Sequence, residues 1–148
     1  MKSEPDAFSI DDLKACKKGI EPWDGIRNYQ ARNFMRDSMS VGDRVFFYHS
    51  NCKVPGIVGV MEVASEAYPD PTQFDPKSKY FDESSKPEEP RWLLVDVKYV
   101  RHTHRVISLT EIKEHADQLG DFPLIRKGNR LSIMPVTDQQ WDYLLGLE

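Results

Sequence analysis

The sequence predicts an α+β domain, with a small antiparallel sheet or barrel and helices at its periphery. Three observations carry this. Three segments share a helix-start pattern, a hydroxyl three residues ahead of an acid or amide. Several short stretches are rich in β-branched and aromatic residues. Helices and strands then follow one another irregularly, without the alternation that builds a parallel sheet.

In chain order, Ser9-Ile10-Asp11-Asp12 opens a helix with Ile10, Leu13 and Cys16 on one face, Asp12 being a short and weaker capping partner. Tyr29 to Met39 reads as a second helix, with Ala31, Phe34, Met35 and Met39 inward. Val45-Phe46-Phe47-Tyr48 and Gly56 to Val63 read as strands. Trp92 to Val100 alternates with Leu93, Val95, Val97 and Tyr99 on the inner face. Arg101-His102-Thr103-His104-Arg105 then reads as its polar end rather than as a pair of metal ligands. Ser108-Leu109-Thr110-Glu111 starts a helix running to Leu119, and Thr137-Asp138-Gln139-Gln140 starts the last one. Arg130 to Val136 is a shorter strand candidate. Gly19, Gly120 and Gly146 stand where a left-handed helix end is wanted. Between Pro87 and Pro90 and just before them, Asp82 to Glu89 reads as a solvated acidic loop.

Composition narrows the function. The chain has 148 residues, enough for one domain spanning 1–148. With 39% hydrophobic residues it can build a core. Its 20 basic and 24 acidic residues give a charge of −4, which excludes indiscriminate coating of nucleic acid. Acid is concentrated in the Asp82–Glu89 loop, while Arg27, Arg32, Arg36 and the Arg126–Arg130 segment offer local positive charge. No apolar run reaches the roughly 18–20 residues that cross a membrane, and the first residues carry no signal-peptide core. Two cysteines are too few for a disulfide scaffold or a four-cysteine zinc site. The expectation is a cytoplasmic monomer without metal or cofactor.

No nucleophile elbow, phosphate loop, dinucleotide fingerprint or zinc-deaminase element is present. More informative is the stretch Trp23 to Arg36, with Arg27, Arg32 and Arg36 and no acid after Asp24. Arg, Asn and Gln read base edges and phosphates, and Trp and Tyr supply stacking faces. The same pattern also suits an amphipathic helix whose arginines meet surface acids. Trp23, on a loop beside Pro22 and Gly25, is either a ligand wall or a lid over the core. Tyr48-His49-Ser50-Asn51, Ala67 to Thr72 and Lys127 to Ser132 are further polar–aromatic clusters.

Taken in order, these segments resemble the EVE domain, a PUA-like family related to YTH domains. The matching stretches are Lys2-Ser3-Glu4-Pro5, Trp23 to Asn33, Gly42-Asp43, Phe47 to Ser50, Ala67 to Thr72, Pro90-Arg91-Trp92, Gly128 to Ser132 and Pro135-Val136. The family carries a short apolar strand ahead of Lys-Ser-Glu-Pro, whereas here Met1 directly precedes Lys2. The resemblance implies a PUA-like mixed or antiparallel β-barrel flanked by helices, with a pocket for a base taken out of the stack. The implied ligand is a modified base, C5-modified cytosine in DNA or a modified RNA base. Lys2 and Ser3 would line the pocket floor, with Ser3 on the base edge and Trp23 stacked on its face. Asn28, Tyr29 and Asn33 would bound it, opposite Tyr48, His49, Ser50, Tyr68, Pro69 and Asp70. Arg27, Arg32 and Arg130 would hold phosphate or brace the site. The alternatives are an enzyme or accessory factor using His49 or Asp70 as acid/base, and a small-molecule or protein-interaction module.

Overall fold

The computed structural model describes residues 1–148. In order it forms β1 (Lys2–Ser3), α1 (Ile10–Ala15), β2 (Ile20–Pro22), α2 (Tyr29–Asp37), β3 (Arg44–His49) and β4 (Gly56–Val63). Then come β5 (Tyr68–Pro69), β6 (Leu93–Leu94), β7 (Asp96–Ser108), α3 (Leu109–Glu114), α4 (Ala116–Leu119) and α5 (Asp138–Leu145). Five strands make one sheet in the order β1-β3-β4-β7-β2, and β5 and β6 form a separate ribbon. β1 runs parallel to β3, and the other pairs are antiparallel, so the sheet is mixed. Register shifts interrupt β3 at Phe47/Tyr48 and the β4–β7 ladder at two places. Such bulges bend strands and sharpen their twist, and the sheet curls into a half-barrel with helices around it.

Each face of the sheet carries its own core. Phe47, Met61, Val63 and Val97 pack against Ile10, Leu13, Trp23, Ala31 and Met35 from α1, α2 and the loop between them. Phe46, Val60 and Ile107 face the other way, against Ile112, Leu119 and Leu144 of α3, α4 and α5. The neighbours Phe46 and Phe47 thus serve opposite cores, as the alternation of a strand requires.

Gly59 sits where α1 crosses the sheet. A Cβ there would lie 2.0 Å from Ile10 Cδ1 and 2.6 Å from the Arg101 carbonyl oxygen. Gly59→Ala is expected to cost about 1–3 kcal/mol of stability by overpacking, read as a lower midpoint in a denaturant titration.

The helix starts lie where expected, but the caps differ in strength. Ser9 Oγ accepts from the Asp12 N–H at 3.1 Å, and Asp12 accepts from the Ser9 N–H at 2.8 Å, a complete box despite the short carboxylate. Thr137 and Gln140 close theirs at 3.1 and 2.9 Å. Ser108 accepts from the Glu111 N–H at 3.2 Å, but the Glu111 carboxylate is drawn to Arg105 at 2.6 and 2.7 Å and leaves that box half made. Gly19 and Gly120 take positive φ; Gly146 does not, ending α5 at φ −68°.

Five other expectations are corrected or refined. The helix from Ser108 breaks at His115, whose φ and ψ of −100° and 21° leave the helical region, into α3 and α4. The strand expected at Trp92 is divided: Leu93–Leu94 pair with Tyr68–Pro69, while β7 starts at Asp96. β7 then runs through the supposed polar end to Ser108, with Thr103 buried, His102 bonded to Tyr99 and Asp11, and His104 facing Glu148. Arg130 to Val136 forms no strand; it meets β1 through one bond, Lys2 N–H to Ser132 O at 2.8 Å. The acidic loop is anchored as well as solvated, because Asp82 accepts the Trp92 indole N–H at 2.8 Å and Ser85 is buried.

Candidate nucleic-acid interface

A cavity of about 570 Å³ opens where four distant segments meet: Lys2 to Phe8, Glu21 to Ile26, Lys79-Tyr80, and Ser132. Its floor hangs on β1. Tyr48 N–H donates to Met1 O and Ser50 N–H to Ser3 O, both at 3.0 Å, which sets Lys2 and Ser3 beside β3. Just after Pro5 the chain turns back, with the Phe8 N–H donating to Glu4 O at 2.9 Å. Ser3 Oγ then donates its only hydrogen to Phe8 O at 2.6 Å, so toward the cavity this hydroxyl can only accept.

Trp23 is both lid and wall. It is only 7% exposed and meets Phe8 and Phe47 edge-on, at 6.3 and 5.5 Å between ring centres. Part of it nevertheless borders the cavity. Its N–H donates to Val95 O at 2.9 Å, tying the loop to the strand junction. Gly25 follows at φ +81°, with the Tyr80 ring so close that a Cβ would stand 2.5 Å from it. Only glycine admits both that backbone and that ring.

Behind the cavity lies a hydrogen-bonded hub. Asp70 is fully buried, at 0% exposure. Its Oδ2 accepts from the Gly25 N–H at 2.9 Å and Arg27 Nη1 at 3.1 Å, and its Oδ1 from the Thr72 N–H at 2.8 Å and Thr72 Oγ1 at 2.6 Å. Burial alone would raise its pKa; the Thr72, Gly25 and Arg27 donors outweigh that and hold it below the usual carboxylate value. Arg27 reaches on with Nε and Nη2 to Tyr80 O at 3.0 and 2.8 Å, and lies 5.5 Å from the Trp92 ring. Arg27 is thus a brace that holds the Tyr80 loop against Gly25. Gln73, buried beside it, binds Asp70 O, Trp92 O, Trp92 N and Ser85 Oγ at 2.6–3.0 Å.

Of the residues expected at the site, Lys2, Ser3 and Trp23 line this cavity; the others do not. Asn28 caps α2, its side-chain oxygen taking the Ala31 N–H at 3.0 Å. Tyr29, 49% exposed, stacks on Trp92 at 4.7 Å, with the Arg32 guanidinium also 4.7 Å from its ring. Arg32 also binds Asn33 Oδ1 and Arg91 O. Tyr48 is buried in the other core and borders a second, mainly apolar cavity of about 560 Å³; its pKa is pushed up to about 12 by burial and by Cys52. His49 Nε2 accepts from the Ile10 N–H at 3.2 Å, and burial lowers its pKa, so it serves α1 as a neutral ring. Ser50 contributes its backbone to β1, and Tyr68 donates to Asp96 Oδ1 at 2.6 Å, with Pro69 beside it in β5. Both carboxylate oxygens of Asp70 are engaged, and His49 Nε2 is taken by the Ile10 N–H. Arg130 is exposed, two residues from Ser132.

Sequence reasoning passed over Phe8, Asp24, Lys79, Tyr80 and Ser132 as pocket residues, and Gln73 as a hub. Phe8, in a polar run just after Lys-Ser-Glu-Pro, and Tyr80, beside Lys79, had only their ring chemistry to mark them.

The whole chain has close relatives. It is 48% identical to thymocyte nuclear protein 1 of Gallus gallus over 163 aligned residues, covering 100% of this chain and 67% of that protein. A crystal structure of a Pseudomonas putida protein is 49% identical with a TM-score of 0.94, covering 99% of this chain and 96% of that one. Human THYN1, solved in complex with DNA containing 5-methylcytosine, is 46% identical with a TM-score of 0.95, covering 99% of this chain and 94% of its own. The half-barrel is therefore the EVE/PUA-like fold of THYN1. The EVE domain model matches residues 1–147, and with the Lys-Ser-Glu-Pro floor, the Trp23 wall and this fold in place, the chain belongs to the EVE domain family.

Proposed function

We propose that this chain is a non-enzymatic reader of a modified base in DNA, with C5-methylated cytosine as its ligand and no metal or cofactor. One observation carries the reading: near-complete structural likeness to human THYN1, which was solved with 5-methylcytosine DNA. The cavity supports it. About 570 Å³ falls within the roughly 300–1,000 Å³ of small-ligand sites. Trp23 and Phe8 offer apolar surface for a methyl group, and Tyr80 offers a π-face. Exposed Lys79, its ammonium 5.0 Å from the Tyr80 ring, supplies positive charge for phosphate at the cavity. A duplex base must leave the stack to enter, at a few kcal/mol, while stacking on an aromatic side chain returns about 1–3 kcal/mol.

The test is titration of short oligonucleotides carrying either cytosine or 5-methylcytosine at one position, at a single stated salt concentration. Burying one methyl is worth about 0.8 kcal/mol, so the methylated strand should bind about fourfold tighter. Tyr80→Ala should weaken both by about tenfold through lost stacking. Equal affinity for the two strands overturns the reading. An RNA strand of the same sequence shows whether a 2′-hydroxyl is tolerated.

A further inference from the structure

A methyl group at C5 leaves a problem that the apolar walls cannot solve. Thymine carries the same methyl on the same ring, and differs from 5-methylcytosine along the edge at positions 3 and 4. A reader that recognised the methyl and the ring alone would be occupied by ordinary thymine throughout DNA. The edge must therefore be read by a polar group, and Asp24 has the chemistry and the position.

Asp24 borders the cavity, between Trp23 and Gly25. Both neighbours are pinned, Trp23 N–H to Val95 O and Gly25 N–H to Asp70 Oδ2, each at 2.9 Å. Of the other carboxylates along this wall, Glu4 accepts from Asn51 Nδ2 at 3.0 Å and Glu21 from Cys16 Sγ at 3.4 Å, each through one oxygen. Asp24 is on a backbone fixed from both sides and has no side chain bound to its carboxylate. Asp24 is itself exposed; partial desolvation, then the negative charges of Asp70 and Glu21, raise its pKa against the opposing pull of Arg27 and its own backbone N–H. An ionised carboxylate is acceptor-only. It suits the exocyclic amine that cytosine presents at position 4, and it repels the O4 of thymine and the oxygens of phosphate.

We infer that Asp24 accepts the position-4 amine of the bound pyrimidine and thereby rejects thymine. This rests on the modified-cytosine reading above, and the experiment separates the two. Single-stranded oligonucleotides carry cytosine, 5-methylcytosine, uracil or thymine at one central position, in a purine background. They are titrated against the wild-type chain, Asp24→Asn and Asp24→Ala, each checked for an unchanged thermal transition. Comparing 5-methylcytosine with cytosine, and thymine with uracil, isolates the methyl effect. Comparing 5-methylcytosine with thymine, and cytosine with uracil, isolates the position-4 effect. Wild type should favour the amine by about tenfold, the worth of one good edge contact. An asparagine in this place would donate as well as accept, and an alanine would do neither. D24N and D24A should therefore each bring the position-4 ratio below about threefold. A position-4 ratio absent in wild type, or intact in both variants, overturns the role of Asp24. A missing methyl effect with the position-4 effect present overturns the methyl reading and leaves Asp24 in place.

Discussion

Asp70→Ala should lower the stability of the chain by about 3–5 kcal/mol, the usual cost of stripping one partner from a buried ion pair. Arg27 would lose its carboxylate, and the Gly25 N–H, the Thr72 N–H and Thr72 Oγ1 would all lose their acceptor. A denaturant titration reads the loss as a shifted midpoint at constant slope. The pH dependence has a definite sign. Because the folded pKa of Asp70 lies below its unfolded value, its contribution is fully present above about 3.9 and fades as pH falls through the folded value. The variant should therefore show a flatter acid limb than wild type. Binding should fall too, since Arg27 holds the Tyr80 carbonyl and Asp70 holds Arg27.

Trp23→Ala should be comparably damaging to the fold, at about 3–5 kcal/mol for a buried aromatic truncated to a methyl. The edge-on contacts with Phe8 and Phe47 vanish together with part of the cavity wall. That double role makes the alanine variant alone ambiguous about binding. Trp23→Phe keeps a ring between Phe8 and Phe47, so it should stay folded, with a smaller fall in melting temperature. Its affinity for the methylated strand should nonetheless drop several-fold, because a smaller ring covers less of the base. If W23F binds as wild type while W23A is merely unstable, Trp23 is a lid over the core and not a wall of the ligand site.

Helix starts were legible because capping is local: Ser9, Ser108 and Thr137 announce themselves within four residues. β4 was legible because Ile57, Val58, Val60 and Val63 crowd β-branched side chains into one short segment. β1, β2 and β5 span two or three residues each, too short for any periodicity, and exist only because a partner strand lies alongside. The far half of β7 was hidden by Arg101, His102, His104 and Arg105, whose polarity comes from lying on an outer surface, not from leaving the sheet. The site divided along the same line. Lys2, Ser3 and Trp23 could be carried over from a motif; the direction of Arg27 could not. A sequence records that an arginine is charged, and only the folded chain decides that its donors turn inward to Asp70, Thr72 and Tyr80. Asp70 and Gln73 reach partners 45 and 19 residues away, which no local pattern encodes.

The cavity draws on segments from Lys2 to Ser132, so no shorter stretch of the chain contains it. This couples occupancy to global folding. A ligand that needs all four segments binds the native chain and not the unfolded one, and each increment of saturation adds to the stability of every element at once, by RT ln(1 + [L]/Kd). At a concentration one hundred times Kd that amounts to about 2.7 kcal/mol. The melting temperature of the intact chain is thereby a ligand gauge in its own right: a nucleoside or oligonucleotide that fits the cavity raises it in proportion to the logarithm of its concentration, with no label on either partner.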